Sequence, residues 1–168
     1  MPNQLCQGTN KNDLIIGTSG PDVIHGAGGN DNLNGKEGDD LLCGEGDHDV
    51  LKGEVGNDTL LGGEGKDTLL GSTGNGNSGH PENDYLIGGP EKDVLNGGEG
   101  NDTLEGGDAD DKLNGGSGND TLAGQNGNDI VNGDKGDDAL DGGPGSDHLH
   151  GGPGNDSCVN GEQLAQCE

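Results

Sequence analysis

An aspartate that returns every nine residues is what most limits the folds open to this chain. From Gly8 the sequence divides into nine-residue units beginning at Gly8, Gly17, Gly26, Gly35, Gly44, Gly53 and Gly62. One longer unit, Gly71 to Ile87, carries eight extra residues, and the frame resumes at Gly88, Gly97, Gly106, Gly115, Gly124, Gly133, Gly142 and Gly151. Position six is aspartate in all sixteen units: Asp13, Asp22, Asp31, Asp40, Asp49, Asp58, Asp67, Asp84, Asp93, Asp102, Asp111, Asp120, Asp129, Asp138, Asp147 and Asp156. Position eight is apolar in all sixteen, from Ile15 and Ile24 through the leucines to Val131, Leu140, Leu149 and Cys158. A strict short period means one supersecondary unit stacked many times, each copy burying its apolar face against the next.

Each unit reads as a glycine-rich turn of six residues followed by a three-residue strand. Alternation along the strand points position eight inward and positions seven and nine outward. One inward residue per nine makes a thin core that becomes continuous only when coils stack. Composition alone argues for disorder: 40 glycines, one tyrosine, no phenylalanine or tryptophan, and 24% hydrophobic residues. The perfect register of the carboxylates and the leucines argues against it. The net charge of −26 disfavours nucleic acid and anionic membrane surfaces as partners and favours cations. No apolar run is long enough to span a bilayer, and Met1 to Asn10 lacks the basic start and apolar run of a secretory signal.

Units such as Gly97-Gly98-Glu99-Gly100-Asn101-Asp102-Thr103-Leu104-Glu105 and Gly115-Gly116-Ser117-Gly118-Asn119-Asp120-Thr121-Leu122-Ala123 fit the pattern G-G-x-G-x-D-x-U-x in full. In this the chain resembles the RTX family of haemolysin-type calcium-binding nonapeptide repeats. The resemblance implies an all-β fold, a right-handed parallel β-roll (a β-solenoid) with two nonapeptides per coil and Ca²⁺ between neighbouring turns on both sides. The whole chain, 1–168, is expected to form a single roll. It comprises a partial coil (1–7), seven repeats (8–70), the repeat with the insertion (71–87), eight repeats (88–159) and a C-terminal cap (160–168).

The chemistry suits that expectation. Ca²⁺ takes six to eight oxygens in a tolerant geometry, and glycine turns can aim backbone carbonyls inward. In the arrangement the resemblance implies, each ion lies between turns two units apart and shares two aspartates. One column is then Asp13, Asp31, Asp49, Asp67, Asp93, Asp111, Asp129 and Asp147; the other is Asp22, Asp40, Asp58, Asp84, Asp102, Asp120, Asp138 and Asp156. Seven gaps per column set a ceiling of about 14 Ca²⁺ ions. Unneutralised columns would repel one another along the stack, so folding is expected to be coupled to Ca²⁺ binding. Position four departs from glycine at Lys11, Asp47, Glu91 and Ala109, where an αL-like turn would be strained; Lys11 also adds a positive charge beside the ion, and Asp47 and Glu91 could instead add ligands. The insertion around Ser72 to Glu82 is expected to bulge and to weaken the sites flanking Asp84.

No nucleophile-and-base pattern, Walker loop or H-E-x-x-H is present, so an enzyme is not expected. His148 and His150 share an outward face and read as exposed side chains rather than metal ligands. Counting one more unit from Asn160 puts Cys167 at position eight, opposite Cys158, which predicts a disulfide closing the final coil. Cys6 and Cys43 lie two coils apart, too far to bridge. Sequons at Asn57, Asn101, Asn119 and Asn155 arise from the repeat itself. The expected function is that of an extracellular or cell-surface calcium-binding structural or adhesive protein. The alternative is the calcium-dependent C-terminal module of a secreted enzyme or toxin. Calcium ions are the expected partners, with the N-terminal edge open to end-to-end or edge self-association.

Overall fold

The computed structural model describes residues 4–72 and 82–167. Two parallel sheets of nine strands face one another, and the chain alternates between them. One sheet is built from β1 (Gln4–Gln7), β3 (Asp22–Gly28), β5 (Leu41–Gly46), β7 (Thr59–Glu64), β9 (Tyr85–Gly89), β11 (Thr103–Asp108), β13 (Thr121–Asn126), β15 (Ala139–Asp141) and β17 (Ser157–Val159). The other holds β2 (Leu14–Ile16), β4 (Asn32–Glu37), β6 (Val50–Val55), β8 (Thr68–Leu70), β10 (Val94–Glu99), β12 (Lys112–Ser117), β14 (Ile130–Lys135), β16 (His148–His150) and β18 (Gln163–Ala165). Each strand pairs with the strand two further along the chain, so one coil is two units and the fold is the expected β-solenoid.

Register follows the repeat. Leu104 pairs with Leu122, and Leu113 with Val131, eighteen residues apart. Across the insertion, Leu60 pairs with Leu86 and Leu69 with Leu95, an offset of twenty-six. The extra eight residues are therefore accommodated without shifting any strand. Most of the insertion, with His80, lies outside the described residues. Position eight fills the space between the sheets: Ile24, Val131 and twelve leucines are no more than 2% exposed. Ile15 and Cys158, in the end coils, are only partly buried.

The strands are longer than the repeat suggests. In most units pairing continues through positions one to three of the next unit, as in Gly107 with Gln125 and Asp108 with Asn126. Successive turns adopt the same path, so their backbones also match from coil to coil. A proline at position three ends this: β9 stops before Pro90, β15 before Pro144 and β16 before Pro153, since proline has no N–H for the ladder. At position four, Asp47 and Ala109 do take left-handed φ, 71° and 74°. Lys11 and Glu91 are not among the residues of positive φ, and Glu91 follows one of these prolines.

The C-terminal coil corrects the expected register. Leu149 pairs with Leu164, fifteen residues on, so the last turn is three residues short. Leu164, not Cys167, holds position eight, and Glu162 holds position six. Cys167 lies beyond β18 and reaches back to Cys158 with a Cα–Cα distance of 5.7 Å, forming the expected disulfide by a different route. Cys43 lies on β5, two strands from Cys6 on β1, as expected from the count of coils. Closing a nine-residue loop constrains the unfolded chain by about 2.5 kcal/mol. Because each coil touches only its neighbours, replacing Cys158 and Cys167 by alanine should loosen the end alone. Amide exchange is expected to accelerate at Gln163–Ala165 and to stay unchanged at Thr103–Asp108; uniform acceleration along the roll would contradict this local role.

Candidate metal centre

Every position-six aspartate sits where the chain leaves a turn and enters a strand, with its side chain folded back into the end of the coil. From Asp22 to Asp156 all fifteen are 0–3% exposed. Both columns that the resemblance implies are present, and hydrogen bonds run their full length. The backbone N–H of each aspartate donates to Oδ1 of the aspartate one coil further on. One column runs from Asp13 to Asp147 at 2.7–2.8 Å. The other runs from Asp22 to Asp156 at 2.8–3.0 Å. The ladder passes through Asp84 at the same 2.8 Å on both sides of the insertion. At the C-terminal end Glu162 Oε2 accepts the N–H of Asp147, so glutamate closes the first column.

The other oxygen of the carboxylate is what makes the site chemically unusual. From Asp31 onward, Oδ2 of all fourteen aspartates is buried and has no hydrogen-bond partner. It lies against the position-one glycine of its own unit, beside a backbone carbonyl of the next coil. A Cβ placed on Gly106 would stand 2.5 Å from Asp111 Oδ2 and 2.7 Å from the Gly124 oxygen. The niche is thus lined by acceptors and kept open by glycine. Buried acceptors without donors are costly, and a hard cation that takes carboxylate and carbonyl oxygens is their natural complement. Among the described residues no three His, Cys, Asp or Glu side chains converge as a metal site. A cation in these columns would therefore draw on backbone carbonyls as well as carboxylates. This also leaves His148 and His150 without the further ligand a transition-metal site needs.

Without a cation the carboxylates in the middle of the columns hold their protons unusually strongly. Burial pushes Asp84 up to about 8 and Asp58, Asp93, Asp111 and Asp120 to about 7. Asp40, Asp49 and Asp102 rise to about 6 for the same reason. The ladder N–H opposes the rise, while neighbouring carboxylates in the column reinforce it in most of these groups. Glu82, 6% exposed with Oε1 unpartnered, adds to the charge around Asp58, Asp84 and Asp102.

Two features escaped the sequence reading. Position five carries a second ladder of opposite polarity on the outside of the turns wherever that position is Asn, Asp or His. Asn83 Oδ1 accepts the N–H of Asn101 at 2.6 Å, Asn101 that of Asn119 at 2.7 Å, and Asn119 that of Asp137 at 3.0 Å. The frequent Asn and Asp at position five were the available signal. His48 takes an Asn place in this ladder, its Nδ1 accepting the N–H of Lys66 at 2.8 Å. The second feature is the start of each column. Asp13 Oδ2 accepts the Thr9 N–H at 2.7 Å and the Thr9 hydroxyl at 2.8 Å. Asp22 Oδ2 accepts the Thr18 N–H at 2.6 Å, with the Thr18 hydroxyl at 3.1 Å.

The family model for the RTX calcium-binding nonapeptide repeat matches the chain over residues 7–42, 44–77, 78–113, 87–122, 105–140 and 123–158. No curated protein matches the sequence.

Proposed function

The chain belongs to the RTX calcium-binding nonapeptide repeat family, and on that premise we propose that it is an extracellular, non-catalytic structural protein whose roll is assembled by Ca²⁺. Calcium binding is the property of the repeat; the residues that would hold it here are the position-six aspartates with a bare Oδ2, from Asp31 onward in both columns. The observation that carries this reading is the row of fourteen buried Oδ2 atoms with no donor. In each gap, carboxylates from successive coils and the turn carbonyls would supply the oxygens. Bound Ca²⁺ would contribute the positive charge that the buried carboxylates otherwise lack. The glycines keep the niche open, the leucines hold the coils at a fixed spacing, and the N–H ladder orients each carboxylate.

An oxidising setting suits the Cys158–Cys167 disulfide and supports an extracellular location. Sites of this kind are expected to bind in the range of about 10⁻⁴–10⁻³ M, as in other extracellular modules. At such affinities the calcium level outside cells fills them. Among the described residues no helix is long and apolar enough to cross a membrane.

Equilibrium dialysis against millimolar Ca²⁺, with bound metal counted per chain, tests the reading. Multiple ions are expected, and Mg²⁺ at the same concentration should not replace them, because it demands near-octahedral geometry and dehydrates reluctantly. Asp111→Asn together with Asp120→Asn, in mid-column on each side, should lower the count. A chain that binds no Ca²⁺, or binds Mg²⁺ equally, would overturn the proposal.

A further inference from the structure

The two columns do not begin as they continue. In Asp13 and Asp22 the Oδ2 that is bare in every later unit is occupied twice over, by the N–H and the hydroxyl of the threonine four residues earlier; in Asp22 it is Oδ1 that is buried without a donor. A carboxylate oxygen that receives two donors has its charge satisfied by hydrogen, and the donors' positive ends stand where a cation would have to approach. We propose that Thr9 and Thr18 are built-in substitutes for metal, so that the first turn of each face is closed by hydrogen bonds and the cation columns begin at Asp31 and Asp40.

The backbone supports this independently of the side chains. Position two is left-handed in every later unit except that of Ser72, whether or not the residue is glycine. Ala27, Lys36, Glu45, Glu54, Gln125 and Asp134 all take φ between 69° and 88° there, a conformation L residues adopt only at a cost. Thr9 and Thr18 are not among the residues of positive φ. Their unflipped turn directs the position-two N–H onto the carboxylate, and the hydroxyl follows it. Ser72, beside the insertion, is the other position-two residue outside the left-handed set; its hydroxyl accepts the N–H of Glu99 at 2.9 Å instead. Asp84 keeps its bare Oδ2. A short hydroxyl at position two is therefore insufficient by itself, and the pairing with the aspartate of the same turn distinguishes the first two units.

The device suits its location. Among the described residues β2 has a single stacking neighbour, and Asp13 beside it is the one aspartate of the series that is not fully buried; Asp22 enters β3, which lies between β1 and β5, and is buried. A cation beside Asp13 would have fewer protein oxygens around it and more water, whereas local hydrogen bonds need no second coil. Loss of the first gap on each face lowers the ceiling from about 14 ions to about 12.

This inference rests on the calcium reading above, and the experiment separates the two. Bound Ca²⁺ per chain is counted by native mass spectrometry, at a fixed millimolar concentration, for three double variants beside the unaltered chain. Asp13→Asn with Asp22→Asn should leave the count unchanged, since an amide oxygen still accepts from threonine. Asp31→Asn with Asp40→Asn should lower it. Thr9→Gly with Thr18→Gly should raise it by two, because glycine takes the left-handed turn freely and removes the hydroxyl. A loss of ions in the Asp13/Asp22 variant overturns the proposal, as does an unchanged count in the Thr9/Thr18 variant, which does not depend on the first variant folding. If the Asp31/Asp40 variant also loses nothing, the assignment of the columns as calcium ligands fails instead.

Discussion

Excess chelator at pH 8 is expected to abolish the β-sheet signal of this protein in far-UV circular dichroism, and acidification of the metal-free chain to about pH 5 is expected to restore much of it. The two effects have one origin. Fourteen buried Oδ2 atoms lack a donor, and the carboxylates that carry them are stable in the coil only if neutralised. A cation does this where the carboxylates can give up their protons to it; a proton does it below the pKa of the group in the coil. Burial raises eight of these groups to about 6, 7 or 8, against about 3.9 for an aspartate in an unfolded chain. Groups raised in this way stabilise the metal-free fold fully below the unfolded value, and that contribution disappears as pH climbs through the folded values. The window of loss is therefore about pH 4 to 8. At pH 5 most of the contribution remains, while the chain stays clear of its pI near 4.1, where near-zero net charge promotes association. Restoring Ca²⁺ at pH 8 should bring the signal back, and saturating Ca²⁺ should flatten the pH dependence. A chelated chain that keeps its sheet signal at pH 8 would refute both the metal coupling and the electrostatic reason for it.

Leu104→Ala is expected to cost about 2–5 kcal/mol, measured by urea unfolding at a fixed saturating Ca²⁺ concentration. Leu104 is fully buried and lies in register between Leu86 and Leu122. Among the described residues there is no other buried apolar layer: one side chain per unit separates the sheets, so a cavity cannot be filled by a second row of side chains. Collapse around it would pull on the turns and spoil the oxygen spacing of Asp102 and its column neighbours. Weaker Ca²⁺ binding should therefore accompany the lost stability. Ile15→Ala, in the outermost coil and only partly buried, should cost well under half as much, and its effect should be confined to the end. Equal costs at the two positions would mean that coils do not act as neighbour-coupled units.

The two sites differ in how they could have been foreseen. Asp102 and Leu104 are legible as a carboxylate and a core residue because the nine-residue frame repeats them without exception. The capping of Asp13 is not legible in that way, since Thr9 occupies a position where later units hold residues as different as Gly98, Lys36 and Asp134. Only the backbone conformation of the turn tells whether that position offers an N–H to the carboxylate or turns it aside. The final coil taught a similar lesson. Extending the frame from Asn160 placed Cys167 at the core position, yet stacking selected Leu164, with Glu162 completing the aspartate ladder. The frame is a local count, and a turn can lose three residues without losing the strand that follows.

The coil of two units, and with it the sorting of the aspartates into two columns, was implied by the resemblance to the RTX family. By itself, the sequence determined the inward leucines, the nine-residue return of the aspartates and the preference of so many carboxylates for cations. These follow from a short period, because a repeated residue must occupy a repeated environment. The tertiary structure alone decided which oxygen of each carboxylate is bare, where each column ends, how the position-five side chains form the outer ladder, and how Cys167 reaches Cys158. Those features depend on hydrogen bonds and contacts between residues that the coil brings together from fifteen, eighteen or twenty-six positions apart, and on turn conformations that the amino-acid types at a single position do not dictate.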